Sequence, residues 1–383
     1  MALARNDFRV VILEQAERLE ETGAGIQLSP NAARILIDLG MEERLRVQAV
    51  TPVALRVLDA RTGGEIVQMP LGEVAARRYG APFWVIHRAD LQAVLAKAVA
   101  QIPNITLKLG TRVEDFAAQA NGVTVSARST AGASDECGAV LISADGLWSP
   151  TRKRLGHDPS PRFAGRAAWR ALIPAKDVPH EFAEPIVHLW LGPAAHLVHY
   201  PVKGGSLINI VVIMDDTWNA PGWNEPASRT DLLRQISKED WVPQALSLIS
   251  APESWLKWAL HDLKPIPRWS QGPVALLGDA AHPMLPYLAQ GAAMAVEDAA
   301  IVAQCLAQTP DDPTAALRIY QAARWARVRK VQRLAARNGT RYHASGVRAM
   351  VRNLAMHVLG GARLLHHYDW LYGWRPPAAL PLP

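Results

Sequence analysis

The apolar residues at the start of the chain follow two patterns in succession. The run RVVIL at 9–13 is continuous and bounded by polar residues, which is typical of a buried strand. The loop ETGAGIQLSP follows, and the segment NAARILIDLGMEERL then repeats its apolar residues at helical spacing. A strand, a glycine-containing loop and a helix in this order predict an α/β domain that opens within the first residues.

Further strands and helices extend this pattern. VALRVLDARTGGEIVQMP predicts a hairpin that turns at Thr62-Gly63-Gly64, and ITLKLGTRVEDFAAQANGVTVSAR predicts another around Asn121-Gly122. HRADLQAVLAKAVAQI predicts a helix, and GAVLISADG a short buried strand. Much later, GPVALLGD predicts a strand that precedes the Ala-rich helix QGAAMAVEDAAIVAQCLA. The α/β pattern stops and resumes, so the first domain is predicted to be discontinuous.

The region between these parts has a different character. HLVHYPV and LINIVVIM predict antiparallel strands around a turn at 203–205, and seven of the 13 tryptophans lie in this region. Tryptophan has a large apolar ring and an N–H that needs a partner, so the tryptophans either wall a pocket for an aromatic ligand or pack in a core. We predict a discontinuous domain at 1–161 and 266–345, a second domain at 162–265 and a helical tail at 346–383.

Length and composition fit a two-domain globular protein, with 383 residues of which 49% are hydrophobic and 20% charged. Cys137 and Cys305 have no spacing typical of a disulfide scaffold or zinc module, which favours a reducing compartment, the cytoplasm. No apolar run reaches the roughly 18 residues of a membrane span, and the N-terminal residues do not have the pattern of a signal peptide. We therefore predict no membrane partner and no metal site.

The net charge of +6 raises the hypothesis of a nucleic-acid partner. The basic residues, however, concentrate on one predicted helix, at Arg324, Arg327, Arg329, Lys330, Arg333, Arg337 and Arg341. A helix would distribute these positions around much of its circumference. A solvated helix face is the favoured interpretation, an anion-binding surface is the alternative, and no nucleic-acid partner is predicted.

Four motifs occur in one order along the chain: GAGIQLSPNAARIL, HRADL at 87–91, ADGLWSPTRK at 144–153 and LLGDAAHPMLPYLAQGAAMAVEDAA at 276–300. With them the chain resembles, over nearly its whole length, the FAD-dependent aromatic hydroxylases, single-component flavoprotein monooxygenases that include salicylate, 3-hydroxybenzoate and 6-hydroxynicotinate hydroxylases. The resemblance implies a Rossmann-like FAD-binding domain, an antiparallel-sheet substrate domain and C-terminal helices. It also implies FAD as cofactor, NADH or NADPH as reductant, a small aromatic substrate with O2, and a monomer or homodimer.

Several residues are candidates for binding the cofactor. Glu14 ends the first strand, where an acidic side chain in a dinucleotide-binding fold accepts hydrogen bonds from ribose hydroxyls. Gly278 permits a sharp turn that frees Asp279, which the resemblance assigns to the ribitol chain of FAD. Gly291 and Ala292 open a helix whose N–H groups suit a negative charge, although Ala-rich packing also explains them. The resemblance adds FAD contacts for Arg88, Val113, Asp145 and Pro283.

The candidates on the substrate side are fewer. His196 and Tyr200 lie four residues apart in a predicted strand and therefore share a face. A phenol with a pKa near 10 is poorly ionised at neutral pH, so a nearby base aids hydroxylation. By the resemblance His196 and Tyr200 are the catalytic candidates, but a histidine hydrogen-bonded in the core or at the surface remains open for His196. The resemblance also places Gln27 and Pro286 beside the substrate.

One element of the family is missing. A glycine-rich phosphate turn should precede the acidic residue by roughly 20 residues, but the first glycine here is Gly23. We therefore expect a chain truncated at its N-terminus, without the first strand and the glycine loop, and weakened FAD binding. A catalytically silent homologue that binds only aromatic ligands is the alternative hypothesis, and flavin-dependent oxidation or halogenation is a further enzymatic one.

Overall fold

The computed structural model describes residues 1–19, 24–119, 121–157, 160–218, 220 and 222–379, so residues 20–23 of the predicted glycine loop lie outside the description. The strands of the described part are β1 (Val10–Leu13), β2 (Gly25–Leu28), β3 (Ala54–Asp59), β4 (Glu65–Pro70), β5 (Trp84–His87), β6 (Ile105–Lys108), β7 (Arg112–Gln119), β8 (Gly122–Ser129), β9 (Gly132–Gly138), β10 (Leu141–Ser143), β11 (Arg162–Pro174), β12 (Ile186–Gly192), β13 (Ala195–Val202), β14 (Leu207–Asp215), β15 (Asn224–Ser228), β16 (Ser254–Asp262), β17 (Ser270–Gln271) and β18 (Val274–Leu276).

The α-helices of the described part are α1 (Pro30–Asp38), α2 (Glu42–Gln48), α3 (Gly72–Tyr79), α4 (Arg88–Val99), α5 (Pro150–Arg154), α6 (His180–Ala183), α7 (Arg229–Gln235), α8 (Pro243–Ser250), α9 (Gly291–Gln308), α10 (Pro313–Tyr342), α11 (Gly346–Leu359), α12 (Gly361–His367) and α13 (Asp369–Tyr372). None of the described helices combines the length and apolarity needed to cross a bilayer.

The α/β part contains two separate parallel pairings. β1 pairs with β6, and β10 pairs with β18, which is extended by the antiparallel β17. Among the described strands, β1 and β10 each have a hydrogen-bonded neighbour on one side. The helix predicted at 31–45 is interrupted, since Gly40 takes a φ of 82°, a left-handed conformation typical of a helix end.

The larger sheet has eight strands in the order β15-β16-β11-β14-β13-β12-β3-β4. Its central strands come from the predicted antiparallel region, and the mixed α/β architecture predicted from the sequence is confirmed. The hairpin β3–β4 joins the same sheet through a parallel pairing of β3 with β12, although the proposed domain boundaries assign it to the first unit. Long-range strand pairing, which a hairpin pattern does not encode, determines this position.

One face of this sheet carries the tryptophan-rich core. Trp169, Trp190, Trp241 and Trp255 are each at most 5% exposed and belong to a single apolar cluster. The indole N–H of Trp190 donates to Nε2 of His199 at 3.1 Å. For these four tryptophans the packing interpretation therefore applies.

Candidate functional site

Strand β13 directs its side chains to both faces of the large sheet. His199 belongs to the tryptophan-rich side, where its ring stacks on His188 with centroids 4.4 Å apart. His196 and Tyr200 point to the other side, since β13 pairs with β14 in continuous register and side chains alternate along a strand. Both side chains are buried, at 2% and 4% exposure.

His196 begins a series of polar contacts that reaches the surface. Its Nδ1 lies 2.8 Å from Nε2 of His343, the residue that follows α10. Nδ1 of His343 makes no hydrogen bond in the described structure, but it lies 3.5 Å from a carboxylate oxygen of Asp215, whose side chain is 60% exposed. Burial, reinforced by neighbouring positive charge, holds the pKa of His196 well below its usual value. Burial also lowers the pKa of His343, to about 4, so both rings are neutral near pH 7.

Tyr200 lies within hydrogen-bonding distance of Gln27, so the fold brings these two substrate-side candidates together. Burial raises the pKa of Tyr200, opposed by the charge of Arg170 and by a hydrogen bond with Gln27. The ring lies so close to Gly25 that a Cβ there would be 2.6 Å from Cε2 of Tyr200. The backbone N–H of Gly25 donates to Oδ1 of Asn209 at 2.6 Å. Gly25 and Asn209 were not among the sequence candidates, and their contact spans two distant segments.

The loop between β18 and α9 connects the two sides of the candidate site. It begins near Asp279 and passes Pro286, which is half-buried. The next residue, Tyr287, has its ring centroid 5.6 Å from that of His196 and accepts a hydrogen bond from Arg166 at 3.3 Å. The loop therefore brings the Pro286 region beside His196 while its first turn lies on the cofactor side.

The first turn of this loop presents Asp279. Gly278 has a φ of 62°, the left-handed conformation that favours glycine, and its N–H donates to Oδ2 of Asp298 at 3.1 Å. The Asp279 residue is exposed to solvent. The protein atoms around its carboxyl group raise its pKa, and the charges of His282 and Arg88 oppose the rise. Arg88, the first residue of α4, therefore lies near Asp279.

The remaining cofactor candidates lie at the ends of neighbouring elements. Glu14 follows β1 and accepts a hydrogen bond at its carbonyl from the N–H of Thr111, two residues before the half-buried Val113. Asp145 follows β10 and accepts a hydrogen bond from the N–H of Thr151 at 3.2 Å. Pro283 is buried, and its carbonyl oxygen accepts a hydrogen bond from Nε2 of Gln332 at 2.9 Å. Gly291 and Ala292 form the half-buried first turn of the 18-residue α9.

Arg152 is a structural link between two of these segments. Its buried guanidinium donates to the carbonyls of Leu147 and Ala280, at 2.5 and 2.8 Å. It therefore ties the loop that contains Asp145 to the turn that contains Asp279, and a direct contact with cofactor is not needed to explain it.

A buried ionic cluster beneath the site corrects the interpretation of the basic helix. Arg324 is fully buried and binds Asp298 at 2.7 Å and Glu297 at 2.6 Å. Arg327 also binds Glu297, at 2.7 Å. The solvated face predicted for these two arginines is wrong, because α10 packs against α9 and a buried cation needs carboxylate partners. Arg333, Arg337 and Arg341 are exposed, as predicted.

The candidate residues do not line the surface groove beside α10. That groove, of about 810 Å³, lies between α10 and the segment after α11, and its lining includes Lys330, Arg333, Arg337 and Trp370. The groove lies on the outer helices, and no candidate residue is part of its lining. It is therefore distinct from the site that contains His196 and Asp279.

The polar groups of the cofactor candidates suit a flavin dinucleotide. The carboxylates of Glu14 and Asp279 are groups that can accept hydrogen bonds from polyol hydroxyls, and the guanidinium of Arg88 is one that can compensate phosphate charge. The free N–H groups at the start of α9 suit an anionic ring edge. A cofactor with hydroxyl, phosphate and anionic parts therefore has a chemically matched group for each.

Comparisons with known proteins agree with this chemistry. A family model described as an FAD binding domain matches residues 1–335. A 3-hydroxybenzoate 6-hydroxylase of Aquipseudomonas alcaligenes is 37% identical over 376 residues, 97% of this chain and 93% of that protein. A salicylate hydroxylase–substrate complex has a TM-score of 0.80 at 27% identity, covering 98% of this chain and 92% of that one. HpxO of Klebsiella pneumoniae, complexed with FAD and uric acid, has a TM-score of 0.82 at 26% identity, covering 97% and 92%.

The fold and the site thus define a flavoprotein of the oxygen-transferring class. The chain belongs to the family of FAD-dependent aromatic hydroxylases, and it is an aromatic monooxygenase with FAD as cofactor. None of the comparisons supports the alternative of a truncated, silent homologue.

Replacing Asp279 by Ala is expected to weaken FAD binding by roughly 10–100-fold. The loss of hydrogen bonds to a charged acceptor costs about 1.5–3 kcal/mol, and every 1.4 kcal/mol is tenfold in affinity. Titration of the apoprotein with FAD, followed by flavin fluorescence, measures the change. Asp311→Ala, at an exposed aspartate outside the site, is the control and should bind FAD as the wild type does. Equal affinities of the two variants would contradict a role for Asp279 in binding.

Proposed function

We propose that this monooxygenase hydroxylates a small phenolic acid of the hydroxybenzoate type, with NADH or NADPH as reductant and O2 as the oxygen source. The observation that carries the proposal is a buried, neutral His196 that shares a strand face with Tyr200 and lies beside the loop of Asp279 and Pro286. The named activities of the hydroxybenzoate and salicylate hydroxylases similar to this chain support the same substrate class.

The chemistry that FAD supplies when bound is reduction of dioxygen and delivery of one oxygen atom to the aromatic ring. The ring must be electron-rich, so removal of the phenolic proton favours the reaction. His196 is the group placed to receive this proton. Because Nδ1 of His196 faces His343, Nε2 is the ring nitrogen left to accept it.

The pair of neutral histidines provides a path for that proton to leave. With the hydrogen of the His196–His343 contact on Nδ1 of His196, proton uptake at Nε2 is followed by transfer from Nδ1 to Nε2 of His343. Nδ1 of His343 then releases its own proton towards Asp215, whose carboxylate is exposed. Both histidines return to a neutral form, and the proton reaches solvent without a water-filled opening beside the substrate.

Tyr200 and Gln27 are proposed to orient the substrate. Since burial raises the pKa of Tyr200, its hydroxyl keeps its proton and is available as a hydrogen-bond donor. The close approach of Gly25 fixes the ring position. Asp145 and Arg88 are proposed to contribute to binding FAD, together with Glu14, Val113, Pro283, Gly291 and Ala292.

The decisive experiment measures coupled turnover. The protein, reconstituted with FAD, is incubated with NADH or NADPH and each of 2-, 3- and 4-hydroxybenzoate, and both oxidation of the reductant and hydroxylated product are measured. At least one isomer is expected to stimulate oxidation and to yield product. Binding of the isomers without product would favour a silent homologue, and oxidation without oxygen insertion would favour another flavin reaction.

His343→Ala is expected to lower kcat roughly tenfold, below the 10²–10⁴-fold of a removed general base, because His196 remains but its proton path is interrupted. Substrate affinity should be unchanged, since His343 acts through His196. Added imidazole should restore part of kcat, which a purely structural defect would not show. His180→Gln, at an exposed histidine on α6, is the control. A wild-type kcat in His343→Ala would exclude the path.

A further inference from the structure

Three polar side chains from neighbouring strands lie on the face of the large sheet that carries His196. Tyr200 of β13 is paired with Asn209 of β14. Arg170 of β11 is paired with Val211, two residues after Asn209 on β14. Directly paired residues share a face of a sheet, as do residues two apart on one strand, so all three side chains point to the same side. We refer to Tyr200, Asn209 and Arg170 as the polar triplet.

Asn209 has a buried hydrogen-bond donor that lacks an acceptor. The residue is 0% exposed, and its Oδ1 accepts the hydrogen bond from the N–H of Gly25. Its Nδ2 makes no hydrogen bond to the described residues. Gly25 also confines both side chains, since a Cβ there would lie 2.8 Å from Cγ of Asn209 and 2.6 Å from Cε2 of Tyr200. An unpaired buried donor costs free energy, so an acceptor of a bound ligand is expected at Nδ2.

Arg170 supplies the positive charge of the polar triplet. Its guanidinium lies over the ring of Trp258, with Cζ 5.5 Å from the ring centroid. Stacking of this kind uses the flat face of the guanidinium and not the N–H groups at its edge. The charge of Arg170 also reaches Tyr200, because it lowers the pKa of that hydroxyl against the effect of burial. An anionic group beside Tyr200 would therefore meet a compensating charge.

The polar triplet matches a carboxylate in the kind and number of its groups. A tyrosine hydroxyl, an asparagine amide and a guanidinium all donate hydrogen bonds, and a carboxylate accepts several through its two oxygens. The arginine strengthens such hydrogen bonds and offsets the cost of removing an anion from water. A buried water would satisfy Nδ2 of Asn209 but would not need the positive charge.

The position of the polar triplet relative to His196 suits a phenolic acid. Tyr200 lies four residues after His196 on β13, which is about 13 Å along an extended strand. A ligand whose carboxylate binds at Tyr200 therefore has room for its aromatic ring along β13, in the direction of His196.

We propose that Tyr200, Asn209 and Arg170 bind the carboxylate of the substrate and thereby direct its ring towards His196. This inference rests on the proposed function, since it concerns a phenolic acid. It adds a specificity determinant: the acid group of the substrate is recognised as well as its phenol.

Binding of benzoate tests the polar triplet without catalysis, because benzoate has the carboxylate but no hydroxyl group. The affinities of the FAD-reconstituted protein for benzoate and for neutral benzamide are measured by isothermal titration calorimetry near neutral pH. The wild type is expected to bind benzoate at least about tenfold more tightly, since hydrogen bonds between charged groups are stronger than those of a neutral ligand.

Three variants and a control test the residues of the polar triplet. Arg170→Met should lower the affinity for benzoate roughly 10–100-fold and that for benzamide less than about threefold. Arg170→Lys keeps the charge and should lose less. Asn209→Asp keeps the oxygen that accepts from Gly25 but sets a negative charge beside the carboxylate, so it should also weaken benzoate selectively. Arg162→Met, at an exposed arginine of the same strand β11, is the control and should bind both ligands as the wild type does.

Two binding results would overturn the proposal. Equal affinities of the wild type for benzoate and benzamide would favour a bound water as the partner of Asn209. An equal loss of affinity for both ligands in Arg170→Met would assign that arginine a structural role.

Turnover separates these results from the proposed function. A preference for benzoate without product from any hydroxybenzoate would refute the proposed function but support carboxylate binding by the polar triplet. Product from neutral phenols, with no preference for benzoate over benzamide, would support hydroxylation and overturn the role of the polar triplet.

Discussion

Replacing His196 by Gln should lower kcat by roughly 10²–10⁴-fold, the range measured for the loss of a general base. The reason is local: in the described part of the site, His196 is the buried neutral base on the strand face that also carries Tyr200. Glutamine keeps a hydrogen-bonding side chain but cannot take up the phenolic proton. Single-turnover measurements of product formation isolate the hydroxylation step from substrate binding and product release.

The pH dependence of the deficit in kcat makes this test specific. A substrate that is already ionised needs no base, so the deficit of His196→Gln should shrink as pH rises towards the pKa of the phenol, near 10. FAD content and substrate affinity report whether the site is intact. His180→Gln again serves as the exposed control. A deficit that stays constant over the whole pH range would argue for a structural role of His196.

Replacing Arg324 by Met should reduce the free energy of unfolding by about 3–5 kcal/mol, because it leaves Glu297 and Asp298 buried without their cation. Urea unfolding of the FAD-free protein measures this change. FAD affinity should fall as well, since Asp298 holds the N–H of Gly278 and the ring of His282 in the turn that presents Asp279.

The control for this variant lies on the same helix. Arg318 is an exposed residue of α10, and Arg318→Met should change the free energy of unfolding by less than about 0.5 kcal/mol. Similar unfolding of the two variants would show that the ionic cluster contributes little to stability.

The wild type should also show an acid-dependent loss of stability from the same cluster. Burial alone would raise the pKa of Asp298, but the charges of His282 and Arg324 outweigh it and lower the pKa from 3.8 to about 2. A carboxyl whose pKa is depressed by folding stabilises the folded state above its unfolded pKa. This contribution is present above about pH 4 and is lost as pH falls towards 2.

Much of the cofactor side could be predicted because its signals are local. The turn at Gly278 and Asp279 needs a glycine in the left-handed conformation shortly after a buried strand. This requirement can be recognised from a few consecutive residues. The first turn of α9 is similarly marked by Gly291 and Ala292. Such features depend on backbone conformation and side-chain size over one or two turns, which the order of residues specifies.

The substrate side was only partly predictable for the opposite reason. The strand period alone sets His196 and Tyr200 on one face. The neighbour that completes the proposed proton path, His343, is 147 positions away from His196 and carries no motif of its own. Its proximity follows from the packing of the end of α10 against β13, and no periodicity in either segment indicates it.

By itself, the sequence determined the family, the α/β class with its antiparallel partner sheet, and the strand-end and helix-start positions that suit FAD. Only the tertiary structure decided that Arg324 is buried in an ionic cluster while large apolar side chains of α11 are exposed to solvent. The physical reason is that a helical pattern specifies which side chains share a face but not what that face meets. Burial and charge pairing depend on contacts between distant segments, and these form only when the chain is folded.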